Sequence, residues 1–565
     1  MRLWPAPPVA CVALALAAAV APAAPAHATA TVTRSVAGDD WSLPAGPGVP
    51  NSGLFSEGDN VRGDRLIDLR GFDLTWRQIQ PRAGAFDAGS TGSAQGMDLP
   101  SFRRQNADPR PFWTRLFASA TTWAPRWLPR ACRYKPVGPD DDGQMHVPIW
   151  DPCVWDKVRD AWRTLMIGQG LRSDPRLRFV YAPGAFTWVE FDYEMVDLGV
   201  RRNGLTFAAY RAWHVQMLRD LVAIMNGEND DPADDFAYKL VFTGEDYPFS
   251  ERFRDRVALF ARDAVEAGMG IRNGITELFN FHLNEVPAYG TTIGPDGHLV
   301  TNDDWQLFDG RRVAAAENEC YDDCGFHSPD PLYAVKLSNL KALQLRLNWI
   351  YVVPQRRGFG GSRLRQLAAH WRWVRRELGH RPEDAPDAWV ALRDAEDVYW
   401  RERGGKRWRG FPFVRNLERW VVQRDVAPDG IPRRGTLARR GDPAPGNGRA
   451  YESLRTDADR GRTALYFDVD ARFMGPTASA PIEVKVTYRD VARTAWRLEY
   501  RAAGGVTAST PAVLGSADGT GRPRTVTFTI TDPSFDGGLS GATDIAVRAL
   551  RGNVEASFLR VVKTG

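Results

Sequence analysis

Two glutamates and two cysteines stand close together in the segment VAAAENECYDDC, residues 313–324. The run of small apolar residues reads as a strand, and Glu317 is the first carboxylate to emerge from it. Glu319 would point the same way if the extended backbone continued for two more residues, because side chains alternate along a strand. Carboxylates at a strand end could transfer protons or stabilise a positive charge. The alternative is that both glutamates form salt bridges on a loop.

Other carboxylates follow strand-like runs earlier in the chain. The segment RFVYAPGAFTWVE (178–190) ends in Glu190, and Glu194 lies four residues further on. The segment VFTGEDY (241–247) places Glu245 directly after a glycine. Glu245 could instead cap the helix that follows it. These residues are the candidates for a second carboxylate in the same site.

The elements around these carboxylates alternate short apolar runs with amphipathic helical patterns, which is typical of parallel β/α units. We interpret as strands the runs 66–76, 114–120, 178–182, 239–244, 275–283, 313–317 and 347–353. Helical periodicity separates them at 151–169, 207–225, 332–347 and 362–378. The pattern predicts an α/β fold, an eight-stranded (β/α)8 barrel whose active site lies at the carboxyl ends of the strands. A doubly wound sheet is the alternative, although no GxGxxG follows a first strand.

The sequence pattern changes in the last third of the chain. Residues 401–455 are rich in Gly, Pro and Arg, which indicates a linker or a wrap-around segment. Residues 456–565 contain six runs that alternate apolar and polar residues between turn residues, which predicts an antiparallel β-sandwich. The predicted organisation is therefore a barrel at 29–400, a linker and a sandwich.

Residues 1–28 read as a secretory signal peptide. Arg2 supplies the positive charge, an apolar run extends from Val9 to Val20, and Ala26-His27-Ala28 fits a cleavage site. No later apolar stretch is long enough to span a bilayer, so we expect an exported protein without membrane insertion. The formal net charge of +4 gives no case for nucleic-acid binding. We expect no metal site, because no CxxC pair or HExxH motif is present. The chemistry considered below needs no metal and no organic cofactor.

Four cysteines remain after removal of the signal peptide: Cys132, Cys153, Cys320 and Cys324. Export makes disulfide bonds plausible. Pairing by proximity gives 132–153 and 320–324, which is one of three possible connectivities. The second bridge would fix the loop that carries the glutamates of the opening segment.

Several segments resemble TIM-barrel glycoside hydrolases. DLTWRQIQPRAGAFD (73–87) is similar to their second-strand motif, in which Trp-Arg precedes Pro-x-x-Gly and an aromatic-Asp pair. TRLFASATTWAPRWLP (114–129) and PIWDPCVWDKV (148–158) match later landmarks of the same group. IEVKVTYRDVARTAWRLEYRA (482–502) resembles the jelly-roll domain often attached to such enzymes.

The resemblance implies an acid/base carboxylate after strand 4 and a nucleophile after strand 7. Glu190 then becomes the acid/base, and Glu317 the nucleophile with Glu319 as the alternative. Glu245 would take the role of Glu190 if strand 4 lay one unit later. Candidates for binding the sugar are Trp76, Arg77, Trp123, Trp188, Asn273 and Trp349. Aromatic rings among them could pack on the C–H face of a pyranose.

We therefore expect a secreted glycoside hydrolase that cleaves a polysaccharide or oligosaccharide by a two-carboxylate, retaining mechanism. Many members of the group carry Asn just before the acid/base glutamate, where this chain has Val189. That difference motivates an alternative, a non-catalytic carbohydrate-binding protein in which a carboxylate pairs with Arg. A third option is a polysaccharide lyase, which would need a Tyr, His or Lys base beside an Arg.

Overall fold

The structure is a computed structural model of the chain. It describes residues 30–56, 65–86, 98–140, 143–184, 188–191, 196, 198–199, 204–243, 259–273, 291–293, 298–301, 309–318, 331–353, 361–392, 416–426, 433–434, 453–475 and 480–564.

Eight parallel strands form a barrel, as the sequence predicts. They are β1 (Gly53–Phe55), β2 (Arg70–Thr75), β3 (Phe112–Phe117), β4 (Leu177–Tyr181), β5 (Leu240–Thr243), β6 (Gly270–Asn273), β7 (Ala314–Asn318) and β8 (Trp349–Val352). From β2 to β8 each strand pairs with the next along the chain, and β8 returns to pair with β1. A single parallel bridge between Phe55 and Leu69 joins β1 to the chain before β2 and nearly closes the barrel.

Helices pack against the outer face of the barrel. The main ones are Leu99–Gln105, Pro152–Arg163, Phe207–Met225, Leu259–Glu266, Pro331–Gln344 and Ala368–Glu377, with single turns at Trp76–Ile79 and Leu128–Ala131. Outward strand residues such as Phe72 and Ile350 share one apolar core with helix residues such as Trp162. Asp151 is the N-cap of the helix Pro152–Arg163, because its carboxylate accepts hydrogen bonds from the N–H groups of residues 153 and 154.

The inward strand residues form a separate core made largely of aromatic rings. Phe55 of β1 lies edge-on to Trp113 and Phe179, with ring centroids 5.4 Å and 5.0 Å away. Trp349 of β8 closes this layer at the amino ends of the strands. Ala315 of β7 belongs to the same core. Its small side chain leaves room in a crowded interior, and the side chains one layer higher are polar.

A two-sheet antiparallel β-sandwich follows the barrel. One sheet orders the strands Ala30–Ala37, Pro523–Ile530, Ile482–Arg489, Glu555–Lys563, Asp387–Ala391 and Leu417–Arg419. The other orders Val421–Arg424, Ala464–Val469, Ile545–Arg551, Ala495–Ala502 and Val506–Ser509. The six sandwich strands expected from the period-two pattern are all present.

The sandwich takes in more of the chain than the predicted boundaries allow. Strands Ala30–Ala37 and Asp387–Ala391 fall inside the range assigned to the barrel, yet they pair with sandwich strands. Strands Leu417–Arg419 and Val421–Arg424 fall inside the range assigned to the linker. Local periodicity cannot show which sheet these strands join, because their pairing partners are far away in the chain.

Four charged side chains lie buried between the barrel and the sandwich, and we call them the junction cluster: Glu377, Asp387, Arg419 and Arg560. Arg560 donates from Nε to Asp387 Oδ2 at 3.0 Å, and Arg419 donates from Nη1 to Glu377 Oε2 at 3.3 Å. None of these side chains is more than 2% exposed. Burial, with the neighbouring Asp387, raises the pKa of Glu377 well above its ordinary value.

One predicted disulfide is confirmed. Cys132 and Cys153 are bonded, with their Cα atoms 5.7 Å apart, and they tie the turn at Leu128–Ala131 to the following helix. Cys320 and Cys324 lie outside the described residues. Within the described ranges, no helix combines the length and the apolar character needed to cross a bilayer.

Candidate active site

Two of the predicted glutamates meet at the carboxyl ends of the barrel strands. Arg272 of β6 donates from Nη1 to Glu317 Oε2 at 2.8 Å and from Nη2 to Glu190 Oε1. Glu317 belongs to β7, and Glu190 follows β4 as predicted. Two hydrogen bonds across one guanidinium keep the bonded oxygens within about 8 Å of each other. The barrel therefore brings together carboxylates from two strand ends, with an arginine between them.

Tyr181, the last residue of β4, completes this group, which we call the mouth cluster: Tyr181, Glu190, Arg272 and Glu317. Arg272 Nε lies 3.3 Å from the Tyr181 hydroxyl. Burial alone would lower the pKa of Arg272, but the charges of Glu317 and Glu190 outweigh it and raise that pKa well above its ordinary value. Arg272 is thus a permanent cation inside the barrel.

The lyase chemistry considered above needs a basic side chain beside an arginine, and Tyr181 has that position. Burial raises the pKa of Tyr181 to about 12, although Arg272 and Arg115 partly oppose the effect. A phenol that holds its proton so firmly is a poor general base near neutral pH. Tyr181 therefore accepts a hydrogen bond from Arg272 and lines one side of the cluster.

The carboxylates of the mouth cluster are more accessible than their arginine. The Glu190 side chain is 18% exposed and that of Glu317 is 9% exposed, whereas that of Arg272 is 2% exposed. This order of exposure fits a site that opens beyond the strand ends, in which the arginine lies deeper in the barrel than the two carboxylates. A ligand at the mouth would meet carboxylate oxygens first.

A second ion pair lies beside the mouth cluster. Arg115 of β3 donates from Nε to Asp73 of β2 at 2.8 Å. The Arg115 guanidinium also lies over the rings of Phe117 and Trp188, 4.7 Å and 5.5 Å from their centroids. Trp188 is half-buried, so it is the predicted sugar-binding tryptophan that keeps surface near Glu190.

The other predicted sugar-binding residues lie further from the mouth surface. Trp76 is fully buried, and Trp123 and Trp349 are 4% and 2% exposed, because each packs among other rings. These three support the barrel rather than offering a face to a ligand. Arg77 donates to the backbone carbonyls of Ala124 and Thr121 and so braces the segment after β3. Asn273 is the last residue of β6, and its side chain lies outside what the structure describes.

Three further predicted carboxylates lie outside the described residues: Glu194, Glu245 and Glu319. Glu194 as a fallback acid, Glu245 as the acid after a later strand and Glu319 as the nucleophile therefore stay predictions. Among the described carboxylates, the pair formed by Glu190 and Glu317 is the one that the barrel assembles around Arg272.

Sequence reasoning missed Arg272, since it placed the sixth strand at 275–283. The described strand is Gly270–Asn273, in the segment MGIRNG. Arg272 follows Gly270 and Ile271 and precedes Asn273 in a short strand. A single charged residue in so short a strand is a weak sequence signal for a functional site. Asp73 and Arg115 were inside predicted strands. Arg115 alternates with the inward residues Trp113 and Phe117, and this alternation could have identified it as an inward residue.

A Ser, a His and an Asp also meet elsewhere, in the segment after β3. His146 lies 2.6 Å from Asp140 Oδ2 and 3.2 Å from Ser119 Oγ. His146 is fully buried, and burial lowers its pKa despite the opposing effect of Asp140. With no exposed surface on the histidine, this trio braces the loop that covers the barrel edge.

A cleft of about 250 Å³ lies between the barrel and the sandwich. Among its lining residues, Arg346 precedes β8, so the cleft is near the amino ends of the strands. Charged lining residues pair with one another, as Arg424 does with Asp468 at 2.9 Å. Among the described side chains, no group of three or more His, Cys, Asp or Glu is arranged to hold a metal ion.

Comparison with protein-family models finds no match for this chain. Comparison with curated proteins likewise finds no match. A function can therefore be inferred only from the side chains at the barrel mouth.

Proposed function

We propose that the protein is an exported glycoside hydrolase that acts on a polysaccharide or its oligosaccharides through Glu190 and Glu317. The observation that carries the proposal is the meeting of these two carboxylates, from the ends of β4 and β7, at the mouth of a parallel barrel. Glycosidic bond cleavage needs two such groups, because one delivers a proton while the other stabilises or captures an oxocarbenium ion.

In the proposed retaining mechanism, Glu190 protonates the glycosidic oxygen as the bond to the anomeric carbon breaks. Glu317 attacks that carbon and forms a covalent glycosyl ester. Glu190, now a carboxylate, takes a proton from water, and the resulting hydroxide releases the sugar and regenerates Glu317. Each cycle consumes one water and leaves both glutamates as they began.

Arg272 supports this division of roles. Its bond to Glu317 Oε2 fixes one oxygen of the proposed nucleophile. Its bond to Glu190 uses Oε1, so Oε2 could carry the proton that is donated. Trp188, half-buried beside Glu190, offers an indole edge to the sugar.

The second candidate is a carbohydrate-binding protein without catalysis. The specific observation in its favour is that both carboxylates are ion-paired with Arg272. If that guanidinium held both carboxylates permanently, neither would be available to donate a proton or to attack. The mouth would then bind hydroxyl groups without breaking bonds.

A hydrolysis screen separates the two candidates. The purified protein is incubated with polysaccharides, oligosaccharides and aryl glycosides, beside Glu190→Gln and Glu317→Gln. Glu228→Gln is the matched control, because Glu228 pairs with Arg163 on the surface and its side chain is 37% exposed. We expect release of reducing sugar by the wild type and the control. On polysaccharides and oligosaccharides, which have poor leaving groups, we expect a loss on the order of 10³-fold in both mouth variants.

The opposite result would be glycan binding, measured by calorimetry, without release of sugar from any substrate in the panel. Binding that persists in both mouth variants would favour the second candidate and overturn the roles given to Glu190 and Glu317. Where sugar is released, the anomer formed first, followed by NMR, distinguishes retention from inversion.

A further inference from the structure

Glu190 does not belong to a regular strand, so its place in the site depends on how its backbone is held. It lies in the described segment 188–191, beyond β4. A carboxylate on an irregular segment is positioned only as well as the surrounding contacts fix that segment. The contacts of these four residues therefore decide where Glu190 points.

Thr243, the last residue of β5, hydrogen-bonds the backbone on both sides of Glu190. Its hydroxyl donates to the carbonyl of Val189 at 2.8 Å, and its own carbonyl accepts from the N–H of Phe191 at 2.9 Å. Thr243 is 2% exposed, so water has little access to either bond. One buried residue thus holds the positions immediately before and after the carboxylate.

The segment adopts a conformation that it would not keep by itself. Val189 has φ of 67°, a left-handed value that is rare for a β-branched residue. Such strain persists only where surrounding contacts over-determine the backbone, and it concentrates at functional sites. The Arg115 guanidinium adds a bond to the carbonyl of Trp188 at 3.3 Å.

Gly184 makes room for this fold-back. A Cβ atom at that position would lie 2.1 Å from the carbonyl oxygen of Glu190, which no side chain could tolerate. The chain therefore passes directly over its own backbone between the end of β4 and Glu190. A glycine here is required by close approach and not by its φ.

We propose that Thr243 is a positioning residue for Glu190, acting through the segment 188–191. The inference rests on the proposed function for its catalytic meaning, but the structural restraint can be measured without any activity. Thr243 places the backbone so that the Glu190 carboxylate meets Arg272 and faces the mouth. Loss of its hydroxyl frees the carbonyl of Val189 and lets the strained backbone relax.

The first measurement is hydrogen–deuterium exchange of the full-length protein. We expect peptides covering 188–191 to exchange several-fold faster in Thr243→Val, and at the wild-type rate in Thr243→Ser, which keeps the hydroxyl. Peptides covering β3 serve as the internal reference. Unchanged exchange in Thr243→Val would overturn the proposal. If that variant does not fold, Thr243→Ala removes the same hydroxyl.

The second measurement uses the leaving group of a substrate found in the screen. Glycosides with poor leaving groups need the proton from Glu190, whereas strongly activated aryl glycosides do not. We expect Thr243→Val to lower kcat for the former by about 10-fold to 100-fold, with little change for the latter. Thr243→Ser should restore the wild-type pattern, which a general loss of stability would not explain.

Glu190→Gln separates failure of this inference from failure of the proposed function. Suppose that Glu190→Gln lowers kcat mainly for substrates with poor leaving groups, whereas Thr243→Val lowers kcat equally for both substrate classes. The positioning role of Thr243 is then overturned. If Glu190→Gln shows no selectivity, or if no substrate is hydrolysed, the proposed function fails. The exchange measurement then decides by itself whether Thr243 restrains the segment.

Discussion

The mouth cluster and the junction cluster are built from the same side-chain types, since each combines arginine with buried carboxylates. At the mouth, one guanidinium serves both Glu190 and Glu317, whose side chains are 18% and 9% exposed. At the junction, Asp387 and Glu377 each have an arginine of their own, and both side chains are fully buried. The two sites therefore differ in charge balance and in access.

The difference fits the catalytic role proposed for the mouth and a structural role for the junction. With both carboxylates ionised, the mouth is one positive charge short of neutrality, and a proton or a cationic transition state can make up that charge. The junction has one arginine for each carboxylate, and none of its side chains is more than 2% exposed. Buried ion pairs alone are weak indicators of function, whereas an unbalanced pair at an opening is a stronger one.

The largest effect on folding stability is expected at the junction. Arg560→Met removes the partner of Asp387 and leaves a fully buried carboxylate without its cation, which typically costs about 3–5 kcal/mol. Urea unfolding followed by tryptophan fluorescence measures the loss. Arg472→Met is the control, because Arg472 forms an exposed pair with Asp470 and its own side chain is 43% exposed. Equal midpoints for the two variants would contradict the structural role of the junction.

The largest effect on activity is expected at the mouth. Glu317→Gln keeps the side-chain volume but removes the proposed nucleophile, so we expect a loss on the order of 10³-fold in kcat, equivalent to about 4 kcal/mol in the barrier. The urea midpoint should change little, because the Glu317 side chain is at an opening. If Glu317→Gln lost activity only in proportion to its unfolded fraction, the role of Glu317 would be structural, like that of the junction residues.

Arg272→Met tests whether the mouth tolerates the loss of its cation better than the junction does. Glu190 and Glu317 would then face each other without a bridging charge. Both lie near the opening, where water can solvate them, so we expect a cost of about 1–3 kcal/mol, below that of Arg560→Met. The same urea titration measures both. A cost above that of Arg560→Met would contradict the inference that water reaches the mouth carboxylates more easily than the junction carboxylates.

The last prediction concerns the pH dependence of folding stability at the junction. The pKa of Glu377 is raised well above its ordinary value of 4.5, first by burial and then by Asp387, so the folded state keeps a proton that the unfolded state releases. This contribution to stability is fully present below the ordinary pKa. It is lost as pH rises toward the raised pKa, by up to about 1.4 kcal/mol per pH unit.

Urea titrations across pH 5 to 9 check the sign of that effect. Stability should decline with rising pH more steeply in the wild type than in Glu377→Gln, whose amide does not titrate. Burial lowers the pKa of Arg419 only to about 10, so Arg419 stays cationic over this range. Parallel curves for the two proteins would show that Glu377 is not the group responsible.

The barrel and its two glutamates could be predicted because their signals are local. Apolar runs and helical periods repeat along the chain, and β7 ends where VAAAEN suggests. Glu190 could be named because it follows a readable strand. Arg272 could not, because its meaning comes from partners on β4 and β7 that only the closed barrel brings near.

The restraint on Glu190 was equally hidden from the sequence. Thr243 ends a short apolar strand and has no local feature that marks it. Its two bonds depend on the fold-back over Gly184 and on the left-handed backbone at Val189. Val189 appeared in the sequence as a departure from a family pattern, whereas in the structure it is a strained hinge beside the carboxylate.

The strand Ala30–Ala37 has a consequence for how the chain is made. Its partner, Pro523–Ile530, is separated from it by 494 residues between the bonded threonines 33 and 527. The partner strand is synthesised long after Ala30–Ala37, which stays without that partner until residues 523–530 have been made. Its Thr, Arg and Ser side chains keep most of it water-exposed, which limits wrong pairing before then. This edge of the sandwich can therefore be completed only late in synthesis.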